Sequence, residues 1–253
     1  MSRNIKVPAI ILRARPVGEN HRGLSMLVGG EGLLHPFAYG AQGKRSLLRS
    51  SAVPYNRGEA ELHYDGAKDR WRLMSFDAVE TFDGVREDLD RFYTASAWAE
   101  ILLGTHGAGE DSERLYELAS EAFGVLNSTM PGGLGRLRTA FLWSFLDLEG
   151  VGPEPGFCGR CGRRLPVGEG GEPARFLSDG LLVGAECAGF EAPVLPDGAR
   201  KWLDVIRGRS LGDALRIGLS ADAAAAAERW LMTIMQSLLG RPLKSGVFIS
   251  PFR

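Results

Sequence analysis

The sequence predicts an α+β, multidomain protein in which a small β-barrel precedes a helical domain. Over residues 1–82, apolar and polar residues alternate in short runs separated by glycine-containing turns, as in small Greek-key barrels. From about residue 84, apolar residues recur three and four positions apart, as on one face of a helix. Residues 151–196 are rich in Gly and Pro and hold all three cysteines. We therefore predict a barrel at 1–82 and a helical domain at 83–253 that contains an irregular insertion at 151–196.

The composition is that of a soluble, cytoplasmic protein. Hydrophobic residues make up 44% and charged residues 24% of the 253 positions, which argues against disorder. No apolar run approaches the roughly 20 residues that span a bilayer, and the run at residues 7–12 is too short for a signal peptide. Three cysteines are too few for a disulfide scaffold.

The net charge of −1 hides a strong segregation of charge along the chain. Residues 1–75 carry 12 basic and 6 acidic side chains, a net charge of +6, whereas residues 76–130 carry 3 basic and 12 acidic ones, a net charge of −9. This pattern predicts two surfaces with different partners. Chance clustering on solvated faces is the alternative.

The individual elements follow from these periods. In the first strand, Arg13 and Arg15 share one face with Ile11. The later strands are predicted at residues 24–28, 33–39, 60–64 and 71–76. Helices are predicted at residues 89–102, 115–126, 134–148 and 221–239. Pro131, Gly132 and Gly133 are expected to separate the second and third helices, and Pro242 to follow the end of the last.

A basic segment of the barrel is the main candidate for function. Phe37 and Tyr39 lie on the third strand, and they are followed by a loop rich in glycine and basic residues, residues 40–49. Small Greek-key barrels bind single-stranded nucleic acid by combining cations with aromatic platforms for bases. The cations expected to contact phosphates are Arg13, Arg15, Arg22, Lys44, Arg45 and Arg49. Solvated arginines around core aromatics are the alternative, and His35 and His63 are expected to be ordinary strand residues.

The cysteines form a candidate metal site. Cys158 and Cys161 make a C-x-x-C knuckle, a spacing at which two thiolates chelate one metal ion. Cys187 offers a third thiolate, but Gly184 occupies the position three before it, where a second knuckle would place a cysteine. The fourth ligand would then be water, a distant side chain, Asp179 or Glu186. A relic of a lost zinc site and free buried thiols are the alternatives.

Several enzyme signatures are absent from the sequence. It has no G-x-x-x-x-G-K-[ST], G-x-S-x-G or H-E-x-x-H motif, so we expect no nucleotide cofactor and no enzyme activity. Two other function classes remain open. One is a protein–protein scaffold or transcription-associated adaptor that works through the acidic helices at 84–126. The other is a metal-dependent nucleic-acid enzyme whose distant acidic residues converge in the fold.

Short segments spread along the chain in a shared order carry a resemblance to a known family. They are residues 9–13 with Gly18 and Glu19, residues 31–34, 38–41, 82–89 and 134–150, the Cys158/Cys161 knuckle with residues 180–182, and residues 241–245. On these segments the sequence resembles the bacterial recombination mediator RecO family over nearly its whole length.

The resemblance implies an N-terminal OB-fold, followed by an α-helical domain with a zinc-ribbon-like insertion. It implies binding to single- and double-stranded DNA, annealing of complementary strands, and a role in DNA repair after damage. The implied partners are RecR and the acidic C-terminal tail of single-strand binding protein (SSB), which together help RecA load at the nucleoid. The implied DNA contacts are the six cations named above, although Gln42 and Gly43 stand where arginines are common.

The resemblance also bears on the metal and on the SSB tail. Many relatives have four zinc cysteines, and this sequence keeps Cys158, Cys161 and Cys187, so zinc is the implied metal. An acidic tail requires a groove that is both basic and apolar. Arg136 and Arg138, on the helix face beside Leu137, are the predicted contacts for it.

Overall fold

The computed structural model describes residues 3–105, 111–168, 173–189 and 191–245. The chain forms two compact units, Met1–Asn127 and Ser128–Arg253, which are described separately below. Among the described residues, no helix is long and apolar enough to cross a membrane.

The first unit is a strand-rich segment followed by three helices. Its strands are β1 (Arg3–Val17), β2 (His21–Val28), β3 (Gly32–Leu34), β4 (Phe37–Ala38), β5 (Arg57–Asp65) and β6 (Arg70–Glu80). Its helices are α1 (Leu48–Ser51), α2 (Asp83–Glu87), α3 (Leu89–Gly104) and α4 (Ser112–Ser128). The short helix α1 lies within the strand-rich segment, at the end of the basic loop.

The strands close into a five-stranded Greek-key barrel. Strand β1 pairs antiparallel with both β2 and β5, and β5 pairs antiparallel with β6. The short strands β3 and β4 both pair with β2, so together they take the place of one barrel strand. A parallel pairing of β4 with β6, at Phe37 and Arg72, completes the ring. This is the OB-fold topology, and the predicted fold class is confirmed.

The barrel interior is filled by alternate residues of the strands. In β5, Ala60 and Leu62 are fully buried, whereas the intervening Glu59 and Glu61 are exposed, as the period of two predicts. The buried cluster consists of Ala9, Ile11, Leu24, Met26, Val28, Ala38, Ala41, Ala52, Ala60, Leu62, Leu73 and Phe76.

Strand β1 departs from the predicted alternation. Its register with β2 shifts between Ile11 and Arg13, which is the mark of a β-bulge. Because the extra residue reverses the alternation, Ile11 and Ala14 both pack on the barrel core, and Arg13 and Arg15 lie on the opposite face. The prediction that Ile11 shares a face with the two arginines is therefore wrong, although the arginines still share a face with each other.

An aromatic cluster joins the barrel to the helices of the first unit. The ring of Tyr55, just after α1, stacks on Phe123 of α4 with 5.6 Å between centroids. Phe82 and Trp98 also contact Phe123. The Tyr55 hydroxyl shares a hydrogen bond of 2.9 Å with Ser96 Oγ on α3. The segment that follows the basic loop is thus fixed to the helices behind it.

The second unit consists of helices and a small sheet. Its helices are α5 (Pro131–Leu148), α6 (Asp197–Ile206), α7 (Leu211–Arg216) and α8 (Ala221–Leu239). Its strands are β7 (Ala174–Phe176), β8 (Leu182–Val183) and β9 (Val194–Leu195), in the antiparallel order β8-β7-β9. The sheet and the cysteine knuckle form the insertion, and α5 packs along α8.

Two features of these helices differ from the sequence expectation. Pro131 is the first residue of α5 rather than part of a break, because a helix does not need the N–H of its first residue and proline already has a suitable φ. Helices α6 and α7 were not predicted. Each has ten residues or fewer, which is too short to show a clear period.

The predicted domain limits at residues 82 and 83 stay a prediction. The division of the chain into compact units is a different one: it falls after Asn127, because α2, α3 and α4 belong with the barrel. Within the predicted insertion at 151–196, residues 169–172 and 190 lie outside the described residues.

Candidate nucleic-acid interface and cysteine cluster

The basic loop, residues 40–49, is a chain of tight turns fixed to the hairpin between β1 and β2. Gly40 has a φ of +67°, in the left-handed region that glycine adopts readily, and its N–H donates to His21 Nδ1 at 3.0 Å. Gln42 donates from its backbone N–H to Asn20 O and from Nε2 to His21 O. These hydrogen bonds give the loop, and therefore its cations, a defined position.

Most of the predicted DNA-contacting cations have no acidic partner. Other barrel cations are neutralised: Lys6 pairs with Glu59, and Arg57 pairs with Glu80 at 2.8 Å. Within the described ranges, the cations that form no ion pair with a carboxylate include Arg13, Arg15, Lys44, Arg45 and Arg49. Unneutralised positive charge of this kind attracts nucleic-acid phosphates.

Arg22 has a supporting position. Its Nη1 donates to the carbonyl oxygens of Arg49 at 3.1 Å and Ala52 at 3.0 Å. The guanidinium therefore lies at the C-terminal end of α1, where carbonyl groups lack helical partners. Arg22 links the strand β2 to the end of the basic loop.

A groove brings two of the predicted cations together. It has a volume of about 340 Å³, and Arg15, Arg22 and Gln42 line it together with Pro16 and Pro54. Arg15 is exposed and Arg22 is half-buried. The groove thus joins the arginine face of β1 to the basic loop.

An aromatic pair lies directly before the loop. The rings of Phe37 and Tyr39 stack with centroids 6.2 Å apart and planes at 27°, and Tyr39 is 44% exposed. The guanidinium of Arg70 lies 5.5 Å from the Phe37 centroid, and that of Arg72 lies 5.3 Å from the Tyr39 centroid. This combination of cations and one exposed ring, that of Tyr39, suits the stacking of bases.

Arg70 and Arg72 were not among the predicted site residues. The available signal was that they flank Trp71 at the start of the strand predicted at residues 71–76, since residues two apart in a strand lie on the same face. Their place beside Phe37 and Tyr39 depends on the parallel closure of the barrel, which no local pattern reveals.

The three cysteines come together although Cys187 is far from the knuckle in sequence. The Sγ atoms of Cys158, Cys161 and Cys187 all lie within 4.8 Å of one another, which is close enough for one metal ion. Cys158 is buried, Cys161 exposed and Cys187 half-buried.

The surroundings of the thiols favour one thiolate in the group. Burial opposes ionisation of Cys158, but the backbone N–H groups of Gly184, Cys161 and Arg160 lower its pKa to about 6. Hydrogen bonds with the side chains of Cys161 and Cys158 raise the pKa of the Cys187 thiol to about 11. Backbone N–H groups that converge on a thiolate are typical of metal-binding knuckles.

The carboxylates considered as fourth ligand are engaged elsewhere. Asp179 Oδ1 accepts the backbone N–H of Leu181 at 2.9 Å, and Glu186 pairs with Arg163 at 3.1 Å. Gly184 offers only its backbone to the cluster. The donor set therefore fits a soft cation such as Zn²⁺ that takes three thiolates and a non-protein fourth ligand.

The insertion at residues 151–196, which we call the cysteine ribbon, contacts the last helix, α8. Gly180 has a φ of +85°, and its carbonyl oxygen accepts a hydrogen bond of 2.9 Å from the buried Trp230 Nε1 of α8. A Cβ at Gly180 would lie 2.5 Å from the side chain of Ile234 and 3.2 Å from its backbone. Only glycine satisfies both the conformation and the close approach at this point.

The predicted contacts for the acidic tail are both engaged within the second unit. Arg138 forms a two-pronged ion pair with Glu228 of α8, with Nε–Oε1 at 2.6 Å and Nη2–Oε2 at 3.1 Å. Arg136 Nη1 donates to Ile217 O at 3.4 Å. The charge of Arg138 is therefore compensated by Glu228.

Another groove of the second unit combines apolar, basic and acidic side chains. It has a volume of about 590 Å³, and its lining includes the apolar Phe157 and Val167, the basic Arg164 and Lys201, and the acidic Glu154 and Asp204. All six side chains are exposed. Sequence reasoning missed this groove because its walls come from the knuckle and from the unpredicted helix α6.

Together, the fold and the site define a class: OB-fold proteins with a helical C-terminal unit that carries a cysteine ribbon. A family model described as "Recombination protein O C terminal" matches residues 86–246. The chain belongs to the RecO family of DNA repair and recombination proteins.

Relatives match along almost the full length of the chain. The DNA repair protein RecO of Anaeromyxobacter dehalogenans (strain 2CP-C) is 30% identical over 248 residues, which cover 97% of this chain and 95% of the relative. The protein of the same name from Anaeromyxobacter sp. (strain K) is 32% identical and covers 88% and 83%. That from Pelotomaculum thermopropionicum is 29% identical and covers 98% and 94%.

Proposed function

We propose that this protein is a DNA-binding recombination mediator that anneals complementary single strands. With RecR, it assists the loading of RecA on SSB-coated DNA in the cytoplasm. The observation that carries this proposal is the set of cations without acidic partners on β1 and in the basic loop, which directly follows the exposed Tyr39 in the chain. The membership in a DNA repair family supports it.

The geometry suits annealing because annealing requires no bond chemistry. Two strands repel each other through their phosphates, and a cationic surface lowers this repulsion. Phosphate contacts carry no sequence information, so strands of any sequence would bind. Tyr39 would stack on single bases while other bases stay free to pair. No catalytic residue is needed for this activity.

The proposed DNA contacts are divided among three places on the barrel. Arg13 and Arg15 lie on β1, whereas Lys44, Arg45 and Arg49 belong to the loop. Arg22 orients the loop through its hydrogen bonds to the end of α1. Arg70 adds charge beside the aromatic pair, whereas the charge of Arg72 is compensated by Asp65 at 2.8 Å.

For the SSB tail, Arg136 and Arg138 stay the predicted contacts, and the geometry adds a second location. The groove that includes Phe157 and Lys201 offers apolar side chains and two bases to an acidic tail with apolar residues, and the tail would have to pass the acidic Glu154 and Asp204 of the same groove. Because Arg138 is compensated by Glu228, we favour this groove.

For the metal, we propose zinc held by Cys158, Cys161 and Cys187. The close approach of the three Sγ atoms and the lowered pKa of Cys158 support this assignment. The bound ion would link Cys158 and Cys161 to Cys187, which follows β8, and so stabilise the ribbon.

The experiment that tests the function is single-strand annealing with a salt titration. We expect the protein to accelerate pairing of two complementary oligonucleotides, and the acceleration to fall steeply with salt. A triple variant, K44A/R45A/R49A, would reduce the slope of log affinity against log salt by about 2, because each lost contact releases about 0.7 fewer counterions from single strands.

A matched control removes equal charge from the second unit. R209A/R216A/R229A would leave the annealing rate and the salt slope close to those of the unmodified protein. Unchanged DNA binding by K44A/R45A/R49A would show that the loop is not the interface. Weak binding that does not respond to salt would favour a protein–protein scaffold that works through its acidic helices.

A further inference from the structure

Leu47 is an exposed apolar side chain in the middle of the basic loop. It is 89% exposed, which is the highest value among the large hydrophobic residues that the structure describes. Arg45 and Arg49, both exposed and without acidic partners, lie two positions to either side of it. An apolar side chain is therefore presented at the point where the loop concentrates positive charge.

The neighbouring leucine shows that this exposure is specific to Leu47. Leu48 is partly buried against the barrel core, and it begins the helix α1. Leu48 thus anchors the turn on the barrel core, whereas Leu47 directly before it is exposed to solvent.

The turn that carries Leu47 is fixed from both sides. Ser51 Oγ donates to Leu47 O at 3.1 Å, and the Ala52 N–H donates to Leu48 O at 3.0 Å. Arg22 holds the carbonyl oxygens of Arg49 and Ala52. Leu47 therefore has a rigid support, as a side chain that separates two stacked bases would need.

We propose that Leu47 is a wedge that inserts between adjacent bases of a bound nucleic-acid strand and unstacks them. This inference rests on the proposed DNA-binding function. Arg45 and Arg49 would hold the phosphates on either side of the wedge, and the unstacked bases would be free to pair with a second strand. Apolar wedges of this kind, leucine among them, occur in proteins that deform DNA.

The ligand that fits this arrangement is a nucleic acid rather than a membrane surface. One leucine among three cations offers too little apolar area to anchor a protein in a bilayer, which takes an apolar helix face or a lipid chain. A single side chain is sufficient to occupy the gap between two bases. The aromatic pair directly before the loop also favours bases as the apolar partner.

The test uses the full-length protein and a single strand that contains 2-aminopurine at successive positions. The fluorescence of this base rises when it loses its stacked neighbours. At saturating protein, we expect the unmodified protein to raise the fluorescence at one or two positions. Leu47→Ala should lose more than about half of that rise, because a methyl group does not fill the space between two bases.

Val79→Ala is the matched control, since Val79 is 73% exposed on β6 and outside the loop. It should give the same fluorescence rise as the unmodified protein. An undiminished rise with Leu47→Ala, or no rise with the unmodified protein at saturation, would overturn the wedge alone. Failure of the unmodified protein to bind the strand in a salt-sensitive manner would overturn the proposed function as well.

Discussion

Arg138 shows how the second unit uses its polar residues. Its guanidinium and the Glu228 carboxylate form two hydrogen bonds, and their side chains are 16% and 11% exposed. Burial raises the pKa of Glu228, while Arg138 opposes that shift. The arginine is therefore needed inside the unit to compensate a carboxylate that packing has removed from water.

Arg138→Ala is predicted to destabilise the protein by about 3 kcal/mol at neutral pH, because it leaves a buried carboxylate without its cation. Urea unfolding measures this loss. Arg136→Ala is the control, since its single long hydrogen bond to Ile217 is worth about 1 kcal/mol or less.

The loss in Arg138→Ala should depend on pH. The folded-state pKa of Glu228 is raised, and removing Arg138 raises it further. A group with a raised pKa stabilises the fold below its unfolded pKa, and this contribution is lost as the pH rises through the folded pKa. The difference from the unmodified protein should thus be smaller at about pH 5 than at about pH 7.5. Equal differences at both values would contradict the assignment.

At the scale of elements, the cysteine ribbon is the clearest case of an incomplete pattern. Gly184 lies at the end of β8 with φ −72° and ψ 164°, a conformation open to any residue. Its N–H lowers the pKa of Cys158, so its backbone already lies against the cluster. A side chain at position 184 would therefore begin beside the three cysteines.

Gly184→Cys is predicted to increase zinc affinity at least about tenfold, because a fourth thiolate replaces a water ligand. Competition with a chromophoric chelator measures the affinity, and the melting temperature with and without zinc gives a second reading. Gly189→Cys is the control, since Gly189 is exposed in the same ribbon and a Cβ there meets no atom within 4 Å. Equal affinities of the two variants would contradict the proposed metal site.

On the scale of the whole molecule, charge and compactness divide the chain at different places. The segment with a net positive charge ends near residue 75, but the first compact unit continues through the acidic helices to Asn127. Tyr55 and Phe82 of the strand-rich segment are covered by Phe123 of α4. The barrel therefore depends on helices of opposite charge for part of its packing.

A fragment of residues 1–128 is predicted to fold and to bind single-stranded DNA with the salt slope of the full chain. A fragment of residues 1–82 should be poorly folded, because it exposes Tyr55 and Phe82 to water. Circular dichroism during thermal melting measures folding, and fluorescence anisotropy measures binding. A cooperative transition in the shorter fragment would instead support the domain limit predicted from the sequence.

How much of this structure was predictable depended on the range of the interactions. Strands such as β5 were predicted because Ala60 and Leu62 alternate with glutamates. The bulge in β1 was missed because four consecutive apolar residues, 9–12, show no period. The candidate site followed the same rule: the knuckle is visible as a local motif, whereas the pairing of Arg138 with Glu228 joins residues 90 positions apart.

The parallel pairing of β4 with β6 has a mechanical consequence. The barrel closes there through the single residue pair Phe37 and Arg72, so its closure between β4 and β6 depends on this one pair. The side chains around this pairing include Tyr39 and Arg70, which we propose as contacts for a bound DNA strand. Thermal motion that opens this pairing would also separate the side chains around it, and a DNA strand bound across them would stabilise the closed barrel.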